Sequence, residues 1–332
     1  MSLSYREIAQ QLQKKPPQKE VVKPAQRFKK TDRELIGGNS TPIVANKQAK
    51  NGKTKEFALK KFKKAESCAI EKLSYDLLQL CGVKVPKTYI LNDERNEPTV
   101  LASRIEPGYK DLLFWVGGTL RGKEFTRYLE KENEIFKNQH IPTQNKKEKP
   151  IIGLFENVGV FAFLQDRDAV GGSLQNIGLV EHDEYFQAVK IDPGYCTLSH
   201  DDDDSSLKRY LDYLQKLSSG NRWYDLDYHG DRGGNAAVFN HATPEQVKDG
   251  MMRVAKLSDK QLRAVIYNPK ISSLSKETRD GTYNTLIIRR NAYQKQLGVY
   301  SSFNPLRFFA RIIAQVAESY CSHAPTWRSR YF

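Results

Sequence analysis

Cysteine is scarce in this chain: Cys68, Cys81, Cys196 and Cys321 are the only four in 332 residues. They are far apart and form no Cys-x-x-Cys pair, which argues against a disulfide framework or a thiolate zinc site and predicts free thiols in a reducing compartment. No apolar run approaches the roughly 18 residues needed to cross a bilayer. The segment from Met1 to Ala9 lacks the apolar core of a secretory leader, so the expectation is a soluble or membrane-peripheral protein. Internal repeats are absent. Acidic charge is also in short supply, with 39 Asp and Glu against 53 Lys and Arg, a net charge of +14. An excess of that size draws anions, although surface lysines that only keep the chain soluble are the competing reading. Helix-turn-helix, zinc-finger and aromatic RNP patterns are missing, so the anion expected is a phosphorylated small molecule or headgroup rather than a base-read nucleic acid.

Against these absences stands one dense constellation. Residues 161–180, FAFLQDRDAVGGSLQNIGLV, and 189–194, VKIDPG, set two aspartates, an asparagine and a third aspartate beside short apolar runs. An Asp at the end of a buried strand can orient an attacking hydroxyl, while an Asn and another Asp supply hard oxygen ligands to a cation that neutralises transferring phosphate. Asp166 or Asp168 fits the first role; Asn176 and Asp192 fit the second. Upstream, Phe57-Ala58-Leu59-Lys60 reads as a strand ending in a phosphate-contacting lysine. Gly37, Gly38, Asn39 and Ser40 interrupt an apolar run, where main-chain N–H groups can approach a polyphosphate without Cβ obstruction. Ala69, Leu73, Leu77 and Leu80 recur at helical spacing over 66–80, on a helix that offers Glu71 to pair with Lys60.

In their order, these pieces resemble the atypical kinases that unite HipA-type bacterial kinases with the phosphoinositide 3/4-kinase group, over roughly residues 35–200. Residues 82–91, GVKVPKTYIL, are similar to the strand entry after the Glu helix in HipA-type proteins, and 189–194 to the Ile-Asp-Phe-Gly metal motif. The phosphoinositide kinases carry Gly-Asp-Arg-His-x-x-Asn, from which Gln165-Asp166-Arg167-Asp168 departs. The family spacing from Asp to Asn is about five residues; Asp168 lies eight and Asp166 ten before Asn176. Asp168 needs the shorter insertion and ranks first, with Asp166 close behind. The resemblance implies an α+β, two-lobed protein-kinase-like fold: a small β-rich lobe with one helix, a helix-rich large lobe, and a C-terminal amphipathic helix. It implies ATP with Mg²⁺ or Mn²⁺ as cofactors. Ala102 to Ile105 would form the hinge, with Ser103 and Ile105 lending main-chain groups to the adenine. The acceptor it implies is protein Ser/Thr; a phosphoinositide kinase and a nonenzymatic, basic membrane-binding adaptor are the alternatives. A basic atypical kinase of this kind looks like an effector that bacteria deliver into a host cytoplasm.

The chain divides by its punctuation into a basic flexible arm (1–34), a small nucleotide-binding lobe (35–106), a large catalytic lobe (107–300) and a C-terminal segment (301–332). The large lobe is expected to be helical apart from the metal-site strands, with 137–150 an exposed loop. Asp201 to Asp204 read as a solvated acidic turn. Asp231, in 230–235 GDRGGN, lies four residues before Asn235, near the family spacing, but has no apolar strand before it. Phe309, Ile312, Ile313, Val316 and Tyr320 share one helical face opposite Arg307 and Arg311, a pattern suited either to packing on the domain or to an anionic membrane interface. An inositol polyphosphate or phosphoinositide is the expected controlling partner, cradled by the lysine-rich small lobe and arm.

Overall fold

The computed structural model describes residues 28–34, 42–48, 52–116, 134–143, 147–166, 168–171, 174–194, 196 and 238–299. Gly37, Gly38, Asn39 and Ser40, the acidic run at 201–204, Asp231, most of the basic arm and the C-terminal segment lie outside them.

The first lobe is an antiparallel sheet of five strands in the order β1-β2-β3-β5-β4: β1 (Lys29–Glu34), β2 (Ile43–Gln48), β3 (Thr54–Lys61), β4 (Thr88–Leu91) and β5 (Val100–Arg104). Residues 29–34, read from sequence as the end of a flexible arm, instead pair with β2, Lys29 opposite Asn46. Helix α1 (Ala65–Leu80) packs across this sheet. Its Cys68 and Tyr75 meet Leu101 of β5, while Ala69, Leu73, Leu77 and Leu78 enter the main core. One amphipathic helix therefore fixes the sheet to the rest of the molecule.

A second five-stranded sheet follows, in the order β6-β9-β10-β8-β7. It comprises β6 (Lys110–Asp111), β7 (His140–Pro142), β8 (Glu148–Ile152), β9 (Ile177–Glu181) and β10 (Phe186–Lys190). Here the sequence reading needs two corrections. Residues 137–150 are not simply an exposed loop: α3 (Glu134–Asn138) ends within them, and β7 and β8 pair, His140 opposite Pro150. Each strand buries a single isoleucine, Ile141 and Ile151, which is too little to set up a visible period. The second correction concerns the apolar run before Asp166, expected as a strand. It is helix α4 (Val158–Leu164), with every residue buried, ended by Gln165 in the left-handed conformation at φ 49°. An all-apolar run carries no periodicity that separates buried strand from buried helix.

The remaining helices are α2 (Leu112–Trp115), α5 (Pro244–Ala255), α6 (Asp259–Ile266) and α7 (Lys276–Gln296). Thr243 and Ser258 start α5 and α6 with reciprocal capping boxes to Gln246 and Gln261. Helix α7 grips α4: the Tyr293 hydroxyl donates to the Gly159 carbonyl at 2.6 Å, and Arg289 Nη1 donates to the Phe163 carbonyl at 3.2 Å. Arg289 is 1% exposed, so a buried guanidinium satisfies the helix end that delivers the Asp166 loop. Helices α4 and α5 touch backbone to backbone at Gly159, where a Cβ would come within 2.5 Å of Met251 N and 2.7 Å of Val247 O. Gly159→Ala should therefore lower stability by about 1–3 kcal/mol in urea unfolding, the usual cost of overpacking. Wild-type stability in that variant would contradict the close crossing.

Candidate active site

The two sheets meet at Lys60. Strand β3 alternates its side chains, so adjacent lysines diverge: Lys60 turns to α1, while Lys61 is exposed, 3.7 Å from Asp93 Oδ2. Lys60 Nζ lies 2.7 Å from Glu71 Oε2 and 2.6 Å from Asp192 Oδ1. Strand β3, helix α1 and the residues just after β10 thus converge on one ammonium. Gly194 permits the convergence: a Cβ there would stand 3.1 Å from Glu71 Oε2, 3.4 Å from Asp192 Oδ1 and 3.7 Å from Lys60 Nζ.

Burial disfavours the Lys60 ammonium, yet Glu71 and Asp192 outweigh that cost and hold its pKa above the ordinary 10.5. Glu71 is 3% exposed. Burial pushes its carboxyl up to about 7, against the opposing pull of Lys60. Both groups can be charged together only because they lie in contact.

Asn176 and Asp192 come together through the β9–β10 hairpin. Ile177 pairs with Lys190, and the Ile191 N–H donates to the Asn176 carbonyl at 2.8 Å, which puts Asp192 one residue beyond. Asn176 Nδ2 donates to the Asp168 carbonyl at 2.8 Å and to Asp168 Oδ2 at 3.2 Å. These two bonds put Asp168 beside Asn176 despite their eight-residue separation. Asp166 points elsewhere: its Oδ2 lies 3.2 Å from Lys190 Nζ, both side chains being buried. Burial raises its pKa, with Lys190 opposing.

Ser103 and Ile105, expected from the sequence as a hinge, have mixed positions. Ser103 sits on β5 opposite Ala58 and Thr88, and its side chain bonds the Tyr75 phenol. The Ile105 N–H is taken by the Glu56 carbonyl at 3.0 Å. Ile105 nevertheless lines a cavity of about 210 Å³ with Thr54, Glu56, Arg104 and Tyr109, at the opposite end of β3 from Lys60.

Two residues of this region escaped the sequence reading. Tyr75 follows Glu71 by one helical turn, and its phenol accepts the Asp192 N–H at 2.8 Å. Lys190 is a cation within the apolar run 188–191, AVKI, and its Nζ donates to the Ile191 and Asp192 carbonyls at 2.9 and 3.3 Å. The signals were present: the i,i+4 spacing from Glu71, and a charge inside a buried strand, which demands a partner.

No protein-family model and no curated protein matches the chain. Solved structures similar to it include the Helicobacter pylori proinflammatory kinase CtkA, at 14% identity and TM-score 0.48, covering 83% of this chain and 98% of that one. The FAT and kinase domain of CtTel1 is similar at 9% identity and TM-score 0.33, covering 85% of this chain and 22% of that one. The Shewanella oneidensis MR-1 HipA of a toxin–antitoxin complex is similar at 9% identity and TM-score 0.34, covering 89% and 71%. The chain itself is α+β, a sheet with one helix followed by a second sheet and helices. At these identities the roles of individual residues rest on the contacts of this chain alone.

The Glu71 proton is held more tightly in the folded chain than in the unfolded one, whose carboxyl keeps the ordinary value of 4.5. Its contribution to stability therefore declines as pH rises from about 4.5 to about 7. Carboxyl NMR should find one glutamate titrating near 7, absent in Glu71→Gln, and that variant should lose the declining limb of the stability profile. A Glu71 titration in the ordinary carboxylate range would contradict the buried pairing.

Proposed function

We propose that this chain is an ATP-dependent phosphotransferase of the atypical kinase kind, passing the γ-phosphate to a Ser or Thr hydroxyl of a protein. The observation that carries the reading is the Lys60 ammonium held between Glu71 and Asp192 at 2.7 and 2.6 Å. Glu71 sets the lysine's position from the buried side, and the lysine offers its charge to nucleotide phosphates. Asp168 is the group we assign to receive the proton of the attacking hydroxyl. Asn176 holds its main chain and carboxylate, whereas the Asp166 carboxylate is committed to Lys190 inside the core.

The donor set suits Mg²⁺ or Mn²⁺. Asp192 is a partly exposed carboxylate, 37% accessible, and the Asn176 amide, with its nitrogen bonded to Asp168, directs its oxygen the other way. Both are hard oxygen ligands. Among the described residues no cluster of three or more His, Cys, Asp or Glu forms a metal cage, so substrate phosphates would complete the coordination, as is usual for Mg²⁺. Such a cation neutralises charge on the phosphate undergoing transfer. Gly37, Gly38, Asn39 and Ser40 keep the proposed role of a phosphate-approaching loop, and Ser103 and Ile105 that of the adenine-side hinge. Ile105 would use its carbonyl, since its N–H is engaged.

The reading extends to an anionic regulator. Lys53, Lys61, Lys63 and Lys64 are exposed around β3 and the start of α1, a surface suited to an inositol polyphosphate or a phosphoinositide headgroup. Among the described residues no helix is long and apolar enough to cross a membrane. Peripheral attachment through residues 305–320, and delivery as a bacterial effector into host cytoplasm, complete the proposal.

Transfer from γ-labelled ATP to a panel of proteins and phosphoinositides, with Mg²⁺ or Mn²⁺, tests the reading; label in lipid rather than protein would move the acceptor to an inositol hydroxyl. Asp192→Ala and Asp168→Ala should each lose roughly 10²–10⁴-fold in kcat while keeping a cooperative unfolding transition. Lys60→Ala should be comparably impaired and Lys61→Ala close to wild type. A fully active Asp192→Ala enzyme contradicts the site; a fully active Asp168→Ala enzyme removes that residue from the proton-accepting role.

A further inference from the structure

Asp192 has a backbone φ of 47°, in the left-handed region that a residue with a Cβ seldom occupies unless its surroundings hold it there. Two buried side chains do the holding. From the α1 side, the Tyr75 phenol accepts the Asp192 N–H at 2.8 Å. From beneath, Lys190 Nζ donates to the Ile191 carbonyl at 2.9 Å and the Asp192 carbonyl at 3.3 Å. The next peptide bond upstream is fixed by Ile191 N–H to the Asn176 carbonyl. Lys190 is 1% exposed, and taking an ammonium out of water is costly without compensation. Its counter-ion is Asp166, 3.2 Å away and 2% exposed. The ammonium lies against Asp166 and the main chain of 191–192, turned away from solvent.

We propose that Tyr75 and Lys190 are positioning residues for the cation ligand Asp192, with Asp166 serving as the buried counter-charge of Lys190 rather than as a proton acceptor. They hold the 191–192 main chain in the conformation that turns the Asp192 carboxylate toward Lys60 and keeps it partly exposed. Tyr75 also joins this main chain to the hinge, because the Ser103 side chain bonds the same phenol. Glu71 and Tyr75, one turn apart on α1, thus set the lysine and the aspartate from a single helix face. The inference rests on the reading of Asp192 as a cation ligand.

The test is direct Mn²⁺ titration of the full chain in the presence of a nonhydrolysable ATP analogue, followed by electron paramagnetic resonance of free Mn²⁺. Tyr75→Phe removes one oxygen. Lys190→Met alone would strand the Asp166 charge in the core, so it is paired with Asp166→Asn, which removes the ion pair as a unit. Both folded variants should bind Mn²⁺ roughly 10–100-fold more weakly, the usual effect of losing a group that orients a ligand, with the nucleotide KM at saturating Mn²⁺ little changed. Wild-type Mn²⁺ affinity in Tyr75→Phe overturns the proposal, and that variant decides alone if the double variant fails to fold. Asp192→Asn separates the two levels. If it loses Mn²⁺ while Tyr75→Phe does not, only the positioning role falls; if it binds as wild type, the cation reading of Asp192 falls with it.

Discussion

A lysine near the end of the first sheet's central strand is held by a carboxylate that is almost entirely out of water, and the rest of the site depends on that contact. Glu71 is costly to ionise where it lies, and Lys60 is costly to bury; each makes the other's charge tolerable. Helix α1 must therefore sit at one depth and one rotation against β3 and β5. The residues that impose that fit also form the joint between the lobes: Cys68 and Tyr75 meet the sheet, and Leu73, Leu77 and Leu78 join the main core. Position of the lysine and relative placement of the two sheets become a single constraint.

From the other side, the β9–β10 hairpin brings its own pair. Antiparallel register sets Ile177 against Lys190, so Asn176 and Asp192 emerge next to each other at one end of the hairpin. Asp168 and Asn176 are eight residues apart in the sequence, yet one amide bonded to the Asp168 carbonyl and carboxylate brings the two together. Gly194 then leaves room for Asp192 to meet Lys60.

The convergence of Lys60 with Glu71 and of Asn176 with Asp192 was legible because each sits in a short, strongly patterned context: an apolar strand end, a helical stripe, the end of a hairpin. What could not be read had physical reasons. Helix α4 is apolar on every side, so nothing in its sequence separates helix from buried strand. Strands β7 and β8 bury one isoleucine each, below what alternation can register. Lys190 is a charge inside an apolar run, which demands a partner without naming it, and only the fold shows that Asp166 is its counter-ion. Asp166 and Asp168 likewise differ in the sequence only by spacing, whereas in three dimensions Asp166 meets Lys190 and Asp168 meets Asn176.

The most direct test of the central contact uses the reactivity of the lysine itself. An acyl-phosphate derivative of ATP transfers its acyl group to an amine lying against the bound phosphates, and peptide mass spectrometry identifies the modified residue. Labelling should fall on Lys60, should be suppressed by excess MgATP, and should weaken in Glu71→Gln, where the lysine loses its buried partner. Label on Lys61 instead, or on Lys60 with no protection by MgATP, would contradict a phosphate-binding role for the ammonium between Glu71 and Asp192.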